Sequence, residues 1–253
     1  MVSQISERAA GITSLIPVKT RPLLPPQDDL WDALDPALPP LQDDDVVAIT
    51  SKVVAIHQGR CVAADAVADK EDLVAREAEA WIPGASSKYG ITLAIKGSTL
   101  IASAGIDASN ARGHYVLWPS DPWGAAREIA LRLRQKHALA RLGVILTDSH
   151  CIPLRRGTVG ISISCFGFEP LFDYRGRPDI FGRPLEVTMS NQADAMAAAA
   201  VGLMGEGAEC TPAVVVRNWP GLTYSDADYH QSFLIPPDED IFAPLLAPLI
   251  NRV

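Results

Sequence analysis

Seven prolines fall between residues 17 and 45, at Pro17, Pro22, Pro25, Pro26, Pro36, Pro39 and Pro40. Each ring fixes φ and removes a backbone N–H, so no long helix can run through this stretch. The segment is expected to be extended and wrapped over the surface as an arm rather than a core layer, broken by a short turn around Asp28 to Leu34. The chain then changes character at once. Asp45-Val-Val-Ala-Ile-Thr50 is a continuous apolar run of strand length, the pattern of a buried strand, and Ser51-Lys52 places a hydroxyl and an ammonium near its end.

Beyond that strand, good helix formers predict a surface helix over Asp69 to Trp81, stopping before Pro83-Gly84. Ile91 to Ile95 and Thr99 to Ala104, separated by Lys96-Gly97-Ser98, read as a hairpin delivering the loop Ala104-Gly105-Ile106-Asp107-Ala108-Ser109-Asn110. Ser120-Asp-Pro122 supplies an N-cap and a first-turn proline for a helix toward Ala138, with Ala126, Ile129, Ala130 and Leu133 on one side. Gly143 to Thr147 is a strand leading into a second acidic loop at Asp148-Ser149-His150. Val159, Ile161, Ile163 and Cys165 alternate with smaller residues as in a half-buried strand. A small-residue helix is expected from Gln192 to Met204 and a further strand at Ala213 to Val216. Strands and helices mix without a regular βαβ rhythm, which predicts an α+β fold with mixed or antiparallel sheets and packed helices.

A 253-residue chain, 48% hydrophobic and 21% charged, can bury a substantial core. Its net charge of -8 argues against nucleic acid as a partner. The opening Met-Val-Ser-Gln-Ile-Ser-Glu-Arg has no leader pattern, and the longest apolar run, Ala195 to Met204, is far short of the about 20 residues a membrane span needs. A cytoplasmic protein without a membrane partner is expected. Cys61, Cys151, Cys165 and Cys210 lack metal-site spacing and are expected to be reduced, mostly structural thiols.

Asp107, Asp148 and Glu206 each stand beside Gly, Ser or Asn and are the leading candidates for hard-metal ligands, with magnesium or manganese favoured by oxygen donors. The alternative is that they cap helices or hold turns. Arg155-Arg156 before Gly157-Thr158 can offer guanidinium and backbone N–H groups to a phosphate or carboxylate, or form a plain exposed turn. Ser51 and Lys52 can contact nucleotide phosphates, and His150 can act as a base or be structural. No P-loop or dinucleotide glycine motif is present.

In their order, these motifs resemble the coenzyme F420-0:L-glutamate ligase family, gamma-glutamyl ligases that add glutamate to a deazaflavin coenzyme precursor. The resemblance runs from about Asp28 to Pro212. It rests on Asp45 to Lys52 with Gly59-Arg60, Ala104 to Asn110, the Pro122 step before Ala125-Ala126-Arg127, Asp148, Arg155-Arg-Gly157, Asp173-Tyr-Arg-Gly176, Asp179-Ile-Phe-Gly-Arg183, Ala193-Asp194 and Met204-Gly205. It implies that Asp107 and Asp148 bind one divalent ion, Mg2+ or Mn2+, with Ser149 and Glu206 candidates for a second. It further implies that Asn110, Ser51 and the segment Met204 to Pro212, including Gly205 and Gly207, contact GTP or ATP together with Pro22-Leu23-Leu24-Pro25. L-glutamate and a carboxylate-bearing acceptor are the implied partners, and an intertwined homodimer with a fold of its own is the implied assembly. The ligase-like region is expected to span residues 1–221, as one unit or two intertwined subdomains, with 222–253 an extension packed on the domain or dimer.

The departures concern the nucleotide and acceptor. Ile56 stands where the family has a lysine, Ala195 where it has an acid and Glu206 where it has Lys or Gln. Asp148-Ser-His before Pro153-Leu-Arg-Arg-Gly-Thr158 is more similar to a bacterial branch described as folate-metabolism gamma-glutamate ligases. The expected chemistry is acyl-phosphate formation on the acceptor followed by amide formation with glutamate, Arg155 or Arg156 holding the transferred group or a substrate carboxylate. The alternative is a non-catalytic homologue that keeps a nucleotide, deazaflavin or folate pocket.

Overall fold

The valine-rich run at 45–50 becomes the middle of a five-stranded sheet in a computed structural model that describes residues 11–250. The opening Met1 to Arg8 stretch lies outside the described residues. Strand order is β1 (Ser14–Val18), β12 (Ala213–Arg217), β2 (Asp45–Thr50), β8 (Leu142–His150), β9 (Val159–Phe166). Only β2 and β8 run parallel, with Val47 opposite Val144; the other pairs are antiparallel, so the α+β expectation holds.

Both sheet faces are covered, which is why β2 is apolar without alternation. On one face Val47, Ile49, Val144 and Leu146 pack with α1 (Leu30–Leu34), α2 (Ser51–His57) and α4 (Pro122–His137), the last contributing Ala126, Ile129, Ala130 and Leu133. On the other, Val46, Ala48, Ile145 and Val214 meet Ala193, Met196, Ala197 and Ala200 of α5 (Gln192–Met204). The alanines let that helix lie close to the strands. β9 is therefore largely buried on both faces rather than half-buried: Ser162 and Ser164 are 5% and 0% exposed.

Three expectations are corrected by pairing and capping. The arm is not wholly outside the core: Pro17 and Val18 belong to β1, an edge strand, where a missing N–H is tolerated. Its turn is a short helix, α1, capped by Asp29 and ended before Pro36. The helix predicted to reach Trp81 stops at Glu77 in α3 (Lys70–Glu77), because Ala80, Trp81 and Ile82 form β4 (Ala80–Ile82) against β5 (Leu93–Lys96). β5 and β6 (Thr99–Ala102) make the expected hairpin, although Ile91, Ser103 and Ala104 fall outside its strands.

β3 (Cys61–Ala63) pairs with β7 (His114–Val116), and β10 (Leu171–Asp173) with β11 (Met189–Asn191). The glycine-punctuated segment between β10 and β11 is an exposed loop. Past residue 221, Leu222 is buried, Tyr224 donates its hydroxyl to the Asp44 carbonyl, and Asp226 pairs with Arg134 at 2.8 Å. α6 (His230–Phe233) follows, and His230 stacks on Trp123 of α4 with centroids 4.8 Å apart. α7 (Ala243–Ile250) closes the described chain. Among the described residues no helix is long and apolar enough to cross a membrane.

Candidate functional site

A cleft of about 420 Å3 opens where the parallel pair β2 and β8 ends. Carboxyl ends of parallel strands leave backbone and loop groups pointing into a shared crevice, a common position for ligand sites. The arm supplies Thr20 to Leu23 on one side, with Thr20 N–H donating to the Cys210 carbonyl at 2.9 Å. Lys52, Val53 and Ile56 come from α2, Asp107, Ser109 and Asn110 from the loop after β6, and Thr147, Asp148 and Ser149 from β8. Val201 and Met204 at the end of α5 and residues 205–212 complete the lining.

Thus Pro22, Leu23, Lys52, Asp107, Asn110, Asp148, Ser149, Met204, Gly205, Glu206 and Gly207, far apart in sequence, share one cleft. Ser51 is 4% exposed and starts α2 beneath it; Leu24 is 47% exposed and Pro25 is buried, and neither lines the cleft. Asp148 and Ser149 lie in β8, not in a loop, because pairing with β9 carries the strand on to His150. Arg155 and Arg156 are exposed on the following loop and do not reach the lining. His150 is also outside it; its Nδ1 is buried without a hydrogen-bond partner, and burial lowers its pKa. Thr20, Arg21, Thr50, Ser109 and Thr147 also line the cleft and were not among the candidates. Of these, Ser109 carries a local signal, since its N–H caps Asp107 Oδ1 two residues back at 2.6 Å. The four cysteines are free thiols; Cys165 is buried and its pKa is pushed up to about 12, while Cys210 lines the cleft.

The floor of the cleft is organised around two carboxylates and one ammonium. Lys52 Nζ pairs with Asp107 Oδ2 and donates to the Ser109 carbonyl at 3.2 Å. Burial alone raises the Asp107 pKa, but the Lys52 and Ser109 hydrogen bonds more than offset this and hold it below the usual range. Asp148 is the converse. Burial pushes it up to about 6, against hydrogen bonds from Trp118 Nε1 at 2.6 Å and Ser149 N–H at 2.8 Å, and the Asp107 charge adds to the rise. Beside them, Ser149 Oγ donates to Glu206 Oε1 at 2.8 Å, and Thr158 Oγ1 donates to the same carboxylate oxygen at 3.0 Å. Asn110 Nδ2 donates to the Gly207 carbonyl at 2.8 Å, joining the two rims.

No group of three His, Cys, Asp or Glu among the described residues forms a ready-made metal cluster. The donors nevertheless suit a hard cation: all are oxygens, and a divalent ion held by Asp107 and Asp148 would offset both the burial that raises Asp148 and the smaller repulsion from Asp107. Magnesium sites commonly use one or two carboxylates and complete the shell with water and substrate phosphates. Asp107 and Asp148 can hold such an ion, and Ser149 with Glu206 form a second oxygen pair.

A coenzyme F420:L-glutamate ligase of Methanopyrus kandleri is 34% identical over 218 residues, covering 79% of this chain and 85% of its own length. Those of Archaeoglobus fulgidus and Methanothermobacter thermautotrophicus are each 32% identical, over 90% of this chain and 95% and 98% of their lengths. A family model described as F420-0:Gamma-glutamyl ligase matches residues 19–218, a stretch that contains every cleft-lining residue named above. From that match and from relatives aligned over most of their length, the chain belongs to the F420-0:gamma-glutamyl ligase family.

Proposed function

We propose that the protein joins L-glutamate to a carboxylate-bearing acceptor, folate-like or F420-0-like, using GTP or ATP and a divalent metal ion. The observation that carries this reading is the convergence of Asp107, Asp148 and Lys52 at the ends of the parallel strands, in a cleft closed by the arm and the 205–212 segment. An acceptor carboxylate oxygen attacks the γ-phosphorus, the bond to the bridging oxygen breaks, and a nucleoside diphosphate leaves. The glutamate amine then attacks the acyl carbon; a C–N bond forms, the C–O bond to phosphate breaks, and the nitrogen gives up a proton to water.

Both steps gather negative charge, so the protein's main task is neutralisation and alignment. Lys52 is the ammonium at the cleft floor, and in this reading it exchanges Asp107 for a phosphate oxygen. Asn110 and the Met204 to Gly207 segment, with Gly205, hold the nucleotide, and the arm at Pro22 and Leu23 covers it. Leu24 and Pro25 support that arm from outside the cleft, and Ser51 anchors α2 below Lys52. Asp107 and Asp148 would hold one Mg2+ or Mn2+, with Ser149 and Glu206 for a second; the ion supplies charge neutralisation of the phosphate oxygens. Arg155 and Arg156, exposed on the loop just before Thr158, which donates to Glu206 at 3.0 Å, are assigned to the transferred group or a substrate carboxylate in this reading.

The active assembly is a homodimer, with residues 1–221 forming the ligase region and 222–253 its extension. Incubation with nucleotide, Mg2+, glutamate and candidate acceptors tests the reading: amide product and inorganic phosphate are expected in equal amounts. Ile56, 2% exposed where the family resemblance calls for lysine, supports the rival reading of a binding homologue. Thermal stabilisation by nucleotide without any amide product would establish that rival.

A further inference from the structure

Trp118 is 3% exposed, follows β7 and does not line the cleft, yet its indole N–H donates to Asp148 Oδ2 at 2.6 Å. An indole N–H is a donor only, so its partner must be an acceptor. Here the acceptor is the carboxylate at the cleft floor rather than a backbone carbonyl. The other oxygen, Oδ1, accepts from Ser149 N–H at 2.8 Å. One bond on each oxygen fixes the carboxylate plane and leaves each oxygen a further lone pair for a ligand in the cleft.

The ring is itself held from several sides. Gly105, at φ +70°, lies so close that any Cβ there would strike the indole nitrogen and its neighbours. Lys96 Nζ stands 5.8 Å from the ring centroid, and Arg60 Nε donates to the Trp118 carbonyl at 3.1 Å. Those two cations share Glu77 Oε2, at 2.5 and 2.8 Å. The side chain that could have packed here in many ways is confined to one.

We infer that Trp118 is a positioning residue that aims the Asp148 carboxylate at a divalent cation in the cleft. The inference rests on the cation site of the ligase reading. It also gives Gly105 a purpose within Ala104-Gly-Ile-Asp107: the motif that carries one carboxylate makes room for the indole that orients the other.

Mn2+ titrated into the full chain without nucleotide, read by calorimetry, tests this. Trp118→Phe is expected to weaken Mn2+ binding by about tenfold or more, the usual scale for losing a partner that orients a metal ligand. Because Trp118→Phe also shrinks the core, replacement of Trp118 by the isosteric 3-benzothienylalanine, which exchanges only N–H for sulfur, is expected to give the same loss with little change in Tm. In an Asp148→Asn background, Trp118→Phe is expected to weaken Mn2+ binding no further, since the effect runs through Asp148. Wild-type affinity in the isostere, or a full additive loss in the Asp148→Asn background, overturns the role of Trp118 alone. A wild-type chain that binds no Mn2+ overturns the cation site and this role with it.

Discussion

At the scale of single residues, the carboxylates divide into those that build the fold and those the fold holds ready. Asp45 is 0% exposed, and both its oxygens meet Arg217, at 2.8 Å each, tying β2 to β12 well away from the cleft. Asp45→Ala leaves a guanidinium facing the sheet without its partner, and a loss of roughly 3–5 kcal/mol in urea unfolding is expected. Asp148→Asn is expected to do the reverse: to abolish phosphate release that depends on acceptor and glutamate while leaving the protein folded. Full turnover by this variant at saturating Mg2+ would remove Asp148 from the mechanism. Lys52→Met should raise the Kd for nucleotide by about tenfold, the size of one lost charge-assisted contact of roughly 1.5 kcal/mol; an unchanged Kd in equilibrium dialysis would mean that Lys52 serves only Asp107.

At the scale of elements, the site depends on how closely α5 and the arm are seated. Gly160 of β9 lies directly under α5, where an added Cβ would meet the Ala197 carbonyl oxygen and the Val201 side chain. Gly160→Ala is expected to push the helix off the sheet and cost roughly 1–3 kcal/mol by overpacking. Because Val201 and Met204 lead into the 205–212 rim, nucleotide affinity should fall with it, which a binding isotherm on the folded fraction measures. The arm is pinned by Asp28, whose carboxylate takes Arg21 at 2.6 Å and the Leu24 N–H at 2.9 Å. The Arg21 hydrogen bond holds its pKa down to about 2, against an ordinary 3.8. A depressed carboxylate contributes stability that is present above its unfolded pKa and lost as pH falls through the folded one. The arm should therefore stay seated above about pH 4 and loosen toward pH 2. Faster hydrogen exchange at Leu24 across that window is the expected sign, and Asp28→Asn should show the faster exchange already at pH 7.

At the scale of the whole molecule, the cleft is assembled from the arm, α2, the Asp107 loop, β8 and the 205–212 segment, so a nucleotide bound there stitches distant parts of the chain together. Nucleotide with Mg2+ at 100 times its Kd should stabilise the protein by about 2.7 kcal/mol, visible as a rise in Tm; no rise at such concentrations would argue against the nucleotide site. Much of the architecture is legible from local chemistry. The proline spacing forbids a long helix before residue 45, the Asp121-Pro122 start and the small-residue stretch mark α4 and α5, and the unbroken apolar run Val46 to Ile49 marks a buried strand. Asp107, Asp148, Asn110 and Glu206 stand out as candidates because polar residues recur near Gly, Ser or Asn at the ends of apolar runs. Their meeting in one cleft is different in kind, since it depends on the sheet order β1-β12-β2-β8-β9, a set of pairings between segments up to about 200 residues apart. No local pattern records that order. Nor does one record that β8 continues through Asp148, that Trp81 leaves its helix for a strand, or that Trp118 reaches Asp148. Propensity, capping and periodicity act over a few residues and are written in the sequence; partner choice across the sheet, and the burial that pushes Asp148 up to about 6, arise only once the chain has closed on itself.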